Sequence, residues 1–368
     1  MCETQEISSI TFGVYSTDEI LKMSVAKIDN PKKNGYNTVY DPRLGTSDSS
    51  CICETCGENA EFCNGHFGHI ELQEPIIHPL FYRRVLSFLN VICHKCNRVL
   101  ILKEQIILSG INKYKGENRF LKIQEKVKKV EMCCHENCSC DQPKYKFCTT
   151  DNTIHKIYEN KQKQKTSVVL NTTEILKIFN NILDIDVELL GFNPNIVHPK
   201  NFIMEVLPVL PICARPYVKA DGILCDDDLT NQYIEIIKSN NHLISNTTSE
   251  KKEFSDAKQQ KCLASLRFRI LTMFNNGQGK AKHTTNGRPI KGIKERLAGK
   301  EGQIRCNLMG KRCNQTARTV IGPDPTLKMG ELAIPKEIAD TLTIPVRVNE
   351  FNIKKIQDLI NDKKIDYL

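Results

Sequence analysis

Ser16 is followed three residues later by Glu19, the reciprocal pattern of a capping box, with Ile20 and Leu21 behind it. A short helix is therefore predicted through Met23, with those two apolar side chains turned inward. Between positions 79 and 91, Leu80, Val85, Leu86 and Leu89 recur at helical spacing and predict a second helix. Residues 112–129 are polar and lysine-rich, which reads as a solvated surface helix or loop. Thr173 opens an amphipathic helix whose apolar side carries Ile175, Leu176, Phe179, Ile182 and Leu183. Pro208, Pro211 and Pro216 then impose an extended run, because proline fixes its own φ and pushes the preceding residue out of the helical region.

Asp226, Asp227 and Asp228 precede another helical pattern, Ile234, Ile236 and Ile237. Consecutive residues on a helix point in different directions, so the three carboxylates do not converge on a Mg²⁺ ion. Acidic residues are favourable at a helix N-terminus, and capping is the expected role. Residues 240–260 are polar and expected to be mobile. Residues 264–274 form a further helical pattern that ends at Asn275-Asn-Gly-Gln-Gly. Asp41-Pro-Arg-Leu-Gly is turn chemistry, and no internal repeat is present.

Composition changes this picture through where charge and cysteine sit. The 368-residue chain has a formal net charge of +9. Residues 280–318 alone hold eleven basic and two acidic residues, so this stretch equals the charge of the whole chain and the remainder sums to zero. Concentrated positive charge fits a polyanionic partner, because neutralising phosphates releases condensed counterions. Five glycines (Gly287, Gly292, Gly299, Gly302, Gly310) punctuate the stretch. A merely solvated helix would not tolerate them, at roughly 1 kcal/mol each relative to alanine. The stretch has no Phe, Tyr or Trp, so it lacks platforms for stacking bases and is suited to holding phosphates without reading sequence. No run approaches 18 uninterrupted apolar residues, which argues against a membrane span. The first nine residues do not have the pattern of a secretory signal, and an intracellular chain is expected.

Eleven of the 17 cysteines lie between positions 51 and 148. In an intracellular chain, that clustering points to metal rather than disulfides. Cys53-x-x-Cys56 followed by Cys63-x-x-His66 supplies three thiolates and one imidazole within 14 residues, a set that closes around tetrahedral Zn²⁺. Gly57, Glu58, Asn59 and Gly65 argue against a buried apolar strand here, while Cys51 and His69 flank the group as spare donors. A second site begins at Cys93-x-x-Cys96 and is completed by a pair from Cys133, Cys134, Cys138 and Cys140, of which Cys134 and Cys138 are favoured. A redox Cys-x-x-Cys would begin a helix in a βαβ setting, which this segment lacks. Cys148, Cys213, Cys225, Cys262, Cys306 and Cys313 read as packing residues.

Taken together, these motifs resemble a known family. Asp41-Pro-Arg-Leu-Gly-Thr, followed by Cys53-x-x-Cys56-x6-Cys63-x-Gly-His66-Phe-Gly-His69-Ile, is similar to the N-terminal zinc region of the largest subunit of DNA-directed RNA polymerase of the eukaryotic, archaeal and large-virus type. The run from Arg288-Pro-Ile-Lys-Gly-Ile-Lys-Glu-Arg to Leu-Met-Gly-Lys-Arg resembles that family's switch at the base of the clamp. Ala317-Arg-Thr-Val-Ile and Ile334-Pro-x-x-Ile-Ala continue the likeness into the dock, and Arg215-Pro216 and Asp227-Asp228-Leu-Thr fit as well. Ala298, Gln303 and Asn314-Gln315 depart from the family pattern, which puts individual contacts in doubt.

The resemblance implies an α+β fold: an irregular multi-module clamp with two zinc sites, helical segments and a switch. The implied segments are an N-terminal clamp core (1–50), a zinc-binding head (51–150), a helical clamp core (151–275), a rudder-like and switch segment (276–320) and the start of a dock (321–368). Cys53, Cys56, Cys63 and His66 would bind one zinc and Cys93, Cys96, Cys134 and Cys138 another, the latter choice supported by Gln142-Pro143. Arg288, Lys291, Lys294, Arg296, Lys300, Arg305, Lys311, Arg312 and Arg318 would contact template DNA and the RNA–DNA hybrid.

The family's catalytic Asn-Ala-Asp-Phe-Asp-Gly-Asp motif does not occur in this sequence. The expectation is thus the N-terminal part of a nucleotidyltransferase subunit, inactive alone. Magnesium would be held only in the complete enzyme, with the second-largest subunit and the rest of the largest subunit as partners. The implied location is the nucleus for a cellular protein and the host cytoplasm or virion for a viral one. The competing reading is a free-standing zinc-dependent nucleic-acid-binding regulator derived from such a clamp. A ubiquitin-ligase RING fits less well, since its interleaved sites do not match a first site closed within 14 residues.

Overall fold

The computed structural model describes residues 8, 12–48, 50–148, 153–159, 165–220, 222–248, 256–284, 287–362 and 365. It divides into two units, Met1–Leu297 and Ala298–Leu368. The capping box forms: the Glu19 N–H donates to Ser16 Oγ, and the Glu19 carboxylate accepts the Ser16 N–H at 2.7 Å. Helix α1 (Thr17–Met23) starts there and buries Ile20. Leu21, expected inward, is exposed, because one short helix presents only a single residue per turn to the sheet beneath it. Strand β1 (Ser24–Lys27) follows directly, and β2 (Phe67–Ile77) lies parallel to it.

The first core is built by α2 (Tyr82–Leu89), α3 (Lys103–Leu108), α4 (Gly116–Val127), the antiparallel sheet β3 (Lys144–Cys148), β4 (Thr153–Glu159) and β5 (Lys165–Leu170), and then α5 (Thr172–Asn180) and α6 (Asp184–Leu190). Phe88 packs at its centre, with ring centroids 4.8 Å from Phe120 and 5.6 Å from Phe192. The lysine-rich stretch 112–129 does more than face solvent. Within α4, Phe120, Ile123 and Val127 are buried at i, i+3 and i+7, a stripe narrow enough to hide among charges. On α5, Ile175 and Phe179 are buried as expected and Ile178 joins them, whereas Leu183 is exposed beyond the helix end.

The second core gathers α7 (Asp228–Thr248), α8 (Asp256–Phe274) and the short α9 (Ile293–Leu297) against the sheet of β1, β2 and β6 (Ile203–Val209), in which β6 pairs antiparallel with β2, while the small hairpin β7 (Val218–Ala220) and β8 (Ile223–Cys225) exposes Val218 and Leu224. Leu229, Tyr233, Ile236 and Ile237 of α7 and Leu266, Ile270 and Met273 of α8 fill it.

The polar run expected to be mobile from 240 begins instead inside α7, which continues through Thr248; residues 249–255 lie outside the described residues. The reason is Asn240. Its side chain accepts from Gln73 N at 2.9 Å and donates to Glu71 O at 2.8 Å, satisfying β2 where its register with β6 shifts. A buried backbone left unpaired by a bulge needs such a partner. Arg215, fully buried, ties this core together by donating to Leu210 O, Thr230 Oγ1 and Val39 O.

Among the described residues, the second unit contains one π-type turn at Ile304–Leu308 and two helices, α10 (Lys336–Thr341) and α11 (Ile353–Asn361). Among its described residues only Gly302 is buried, while Val320, Ile321, Met329 and Phe351 stand almost wholly in solvent. Among the described residues, no helix is long and apolar enough to cross a membrane.

Candidate metal centres and nucleic-acid interface

The first centre grows from the Asp41 turn. Buried Asp41 accepts from Arg43 N at 2.9 Å and from Asn37 N at 2.6 Å, fixing the turn at Pro42–Leu44. Leu44 O then accepts from His66 N at 3.0 Å, which sets the end of the metal loop against its beginning. Cys53 N donates to Glu58 O and Gly57 N to Cys53 O, so the first pair sits on a tight turn with Gly57 at φ +74°.

Gly65 is required twice over. Its φ is +80°, and a Cβ there would lie 2.5 Å from Pro211 Cβ and 2.6 Å from Cys213 Sγ. The structure brings Cys53, Cys56, Cys63 and His66 together, each offering a donor atom within 4.8 Å of the others. Burial pushes the Cys63 thiol up to about 11. Burial also opposes the Cys53 thiolate, but N–H groups of Cys56 and Thr55 outweigh it and hold that thiol below its ordinary value. The spare donors fall outside the cluster. Cys51 is exposed, and His69 is turned to Ser24, its Nδ1 2.6 Å from Ser24 Oγ.

The second centre joins a knuckle to a remote turn. Cys93 N donates to Arg98 O at 2.9 Å and Lys95 N to Cys93 Sγ at 3.4 Å, with Asn97 left-handed at φ +59°. Against this knuckle the structure places Cys133 and Cys138: Cys96 and Cys133 sulfurs are 3.7 Å apart, as are those of Cys93 and Cys138. These four form one cluster within 4.8 Å. Cys140 lies beside it, 3.4 Å from Cys93 Sγ and 3.3 Å from Cys138 Sγ.

Cys134, the residue favoured from sequence, is not brought to the cluster; its sulfur faces Val99 O at 4.0 Å. The cause is local ladder geometry. Met132 pairs with Asp141 and Cys133 N donates to Cys140 O, and adjacent residues on an extended segment point to opposite sides. Gln142 donates its amide to Cys93 Sγ at 3.3 Å and Cys140 Sγ at 3.2 Å. Burial opposes the Cys93 thiolate, yet N–H donors from Cys96 and Lys95 prevail and bring that thiol down to about 6. A thiolate so stabilised is prepared for a metal. Of the cysteines read as packing residues, Cys213, Cys225, Cys306 and Cys313 are exposed.

The basic segment is divided between the two units. In the first, Arg296 pairs with Asp227, and Arg288 Nη2 lies 3.0 Å from Asp228 Oδ1. Lys291 and Lys294 are exposed. In the second, Lys300, Arg305, Lys311, Arg312 and Arg318 are all exposed. Asp227 does cap α7, accepting from Leu229 N at 2.8 Å. Sequence reasoning found that cap but missed the second role of the aspartates as partners of the basic segment. The signal was their count, since one cap needs only one carboxylate. Asp226, the third, pairs with Lys33 and accepts from Tyr40 Oη at 3.0 Å.

Comparison with known proteins places this sequence in a family. Residues 4–308 match the model of RNA polymerase Rpb1, domain 1, and residues 310–367 that of RNA polymerase Rpb1, domain 2. The chain is 40% identical to the probable DNA-directed RNA polymerase II subunit RPB1 homolog of Invertebrate iridescent virus 6, over 98% of this chain and 41% of that protein. It is 37% identical to the DNA-directed RNA polymerase subunit Rpo1N of Methanocaldococcus jannaschii over 97% of this chain and 27% of the relative, and 35% identical to Rpo1N of Thermococcus celer over 96% and 40%. The chain thus spans less than half the length of these relatives. With two consecutive domain models covering it almost throughout, the chain belongs to the RNA polymerase Rpb1 family.

Proposed function

We propose that this chain supplies the zinc-stabilised clamp and the basic switch of a DNA-directed RNA polymerase, holding template DNA and the RNA–DNA hybrid during transcription. The observation that carries this reading is the uninterrupted match to two successive Rpb1 domains, within which both cysteine clusters and the basic segment fall in order.

The donor sets fit zinc. Three thiolates with one imidazole, and four thiolates, are the soft, closed tetrahedral sets of structural sites. Cys53, Cys56, Cys63 and His66 would hold one ion, and Cys93, Cys96, Cys133 and Cys138 the other. Bound there, each ion supplies cross-linking and no chemistry. The chain's own part is to present cations to phosphate: exposed Lys291, Lys294, Lys300, Arg305, Lys311, Arg312 and Arg318 would neutralise the backbone without reading bases. Phosphoryl transfer itself needs metal-held carboxylates, which in this reading come from the rest of the enzyme.

The test is affinity purification of the tagged chain from its source. Recovery with a second large subunit, a chain carrying the catalytic aspartates, and template-dependent nucleotide incorporation is expected. Recovery of a stable, solitary chain that binds nucleic acid would overturn the polymerase reading in favour of a regulator.

A further inference from the structure

The second centre holds one thiol more than a four-coordinate zinc ion uses. Zinc–sulfur bonds of about 2.3 Å place tetrahedral ligand sulfurs about 3.8 Å apart. Cys93 with Cys138, and Cys96 with Cys133, stand at 3.7 Å and match that spacing. Cys140 is not part of this four-sulfur cluster as it stands. Its Sγ nevertheless lies 3.4 Å from Cys93 Sγ and 3.3 Å from Cys138 Sγ, so the three sulfurs form a triangle along one edge of the cluster.

The backbone explains how two cysteines of one short turn both reach the knuckle. Cys138 N and Ser139 N donate to the same His135 O, at 2.9 and 3.2 Å, and Ser139 between the two cysteines is left-handed at φ +36°. Such a conformation is uncommon for a residue other than glycine. Cys140 is then tied to the opposite side of the site, where its carbonyl accepts from Cys133 N at 2.9 Å. The side-chain amide of Gln142 lies 3.2 Å from Cys140 Sγ and 3.3 Å from Cys93 Sγ. Donors of this kind orient and stabilise thiolate ligands, and this one serves Cys140 as it serves the ligand Cys93.

We propose that Cys140 is an interchangeable ligand of the second zinc centre, taking the place of Cys138 beside Cys93, Cys96 and Cys133. Zinc has no electronic preference for one geometry and can pass through five ligands, so an incoming sulfur on the Cys93–Cys138 edge can bind before the outgoing one leaves. Cys140 gives up its thiol proton and Cys138 gains one, which leaves the charge of the set unchanged. Cys133 has no such substitute, because its place is beside Cys96 and away from that edge. The inference rests on the zinc reading proposed above.

Metal analysis of the full chain tests it. Native chain and Cys140→Ser should each hold about two zinc ions, Cys138→Ser should also keep about two, and the double variant Cys138→Ser, Cys140→Ser should fall to about one. Cys138→Ser, Cys134→Ser should keep about two. A fall to one in Cys138→Ser would overturn the exchange and leave the zinc reading intact, whereas native chain without zinc would overturn that reading itself. Two ions in Cys138→Ser, Cys140→Ser would also overturn the proposal. It would show that another donor closes the set, such as His94, whose buried Nδ1 has no hydrogen-bond partner among the described residues and lies within 4.8 Å of the Cys140 sulfur.

A second measurement needs no loss of a cluster ligand. Exchange of bound zinc for an enriched zinc isotope should be several-fold slower at the second centre in Cys140→Ser than in native chain. The first centre, whose cluster contains only its own four donors among the described residues, should keep its rate and serve as the internal reference. An unchanged rate at the second centre would remove Cys140 from the exchange.

Discussion

Cys133 and Cys134 are neighbours in sequence with opposite fates. Cys133 Sγ lies 3.7 Å from Cys96 Sγ, while Cys134 turns to a backbone carbonyl. Cys133→Ser should therefore lower the zinc content from about two ions per chain to about one, whereas Cys134→Ser should leave it at two, because the loss of one thiolate opens a closed four-donor set. Metal analysis of the purified variants checks this; zinc loss in Cys134→Ser alone would exchange the assignments. Spacing made the first centre readable, since all four donors sit within one short loop whose turns are written in Asp41, Gly57 and Gly65. The second was readable only as far as its Cys-x-x-Cys. Its other half is chosen by strand alternation after a 36-residue excursion between Cys96 and Cys133, and that register depends on tertiary pairing that no local motif encodes.

At the scale of elements, the same distinction separates what was legible from what was not. The helix at Ser16 was plain because its cap is local. The stripe on α4 and the continuation of α7 were obscured because lysines and asparagines dominate both segments, and only packing reveals that Phe120, Ile123 and Val127 share a face or that Asn240 repairs a strand. The junction between β2 and α2 carries a further consequence of packing. His78 lies between Phe81 and Phe274, each 4.7 Å away by ring centroid, and burial lowers its pKa to about 4. The unfolded chain binds a proton at this residue near pH 6.5, whereas the folded chain does so only near 4. Stability contributed by neutral His78 is thus complete above pH 6.5 and is lost as pH falls from there towards 4, by roughly 2–3 kcal/mol. Denaturant titrations across that range should show the slope in the native chain and its loss in His78→Leu. An equal slope in both would place the acid sensitivity elsewhere.

The molecule as a whole divides its stability unevenly. The first unit has two apolar cores, and the first of them includes Cys93 and Cys133 among its buried residues, so the second metal cluster is continuous with packed side chains. Structural thiolate sites contribute folding free energy directly. Removing metal should therefore loosen residues 51–63 and 93–148 first, while the sheet and helix pair of the second core, which holds no cluster donor, retain protection. The second unit stands at the other extreme. With one buried residue among those described and side chains such as Phe351 and Met329 in solvent, it lacks the apolar burial that offsets about 1–2 kcal/mol of backbone entropy per ordered residue. In the isolated chain, three tiers of amide exchange are expected: fast throughout 298–362, slow but chelator-sensitive around the clusters, and slow and chelator-resistant in α7, α8 and β2. Protection of the second unit equal to that of α8 would show that this unit draws its order from more than its own side chains, and uniform loss on chelation would show that the two cores unfold as one. Such tiers would fit the proposed function, in which the first unit keeps its packed cores in the isolated chain and the exposed cationic residues of the second gain order on binding nucleic acid.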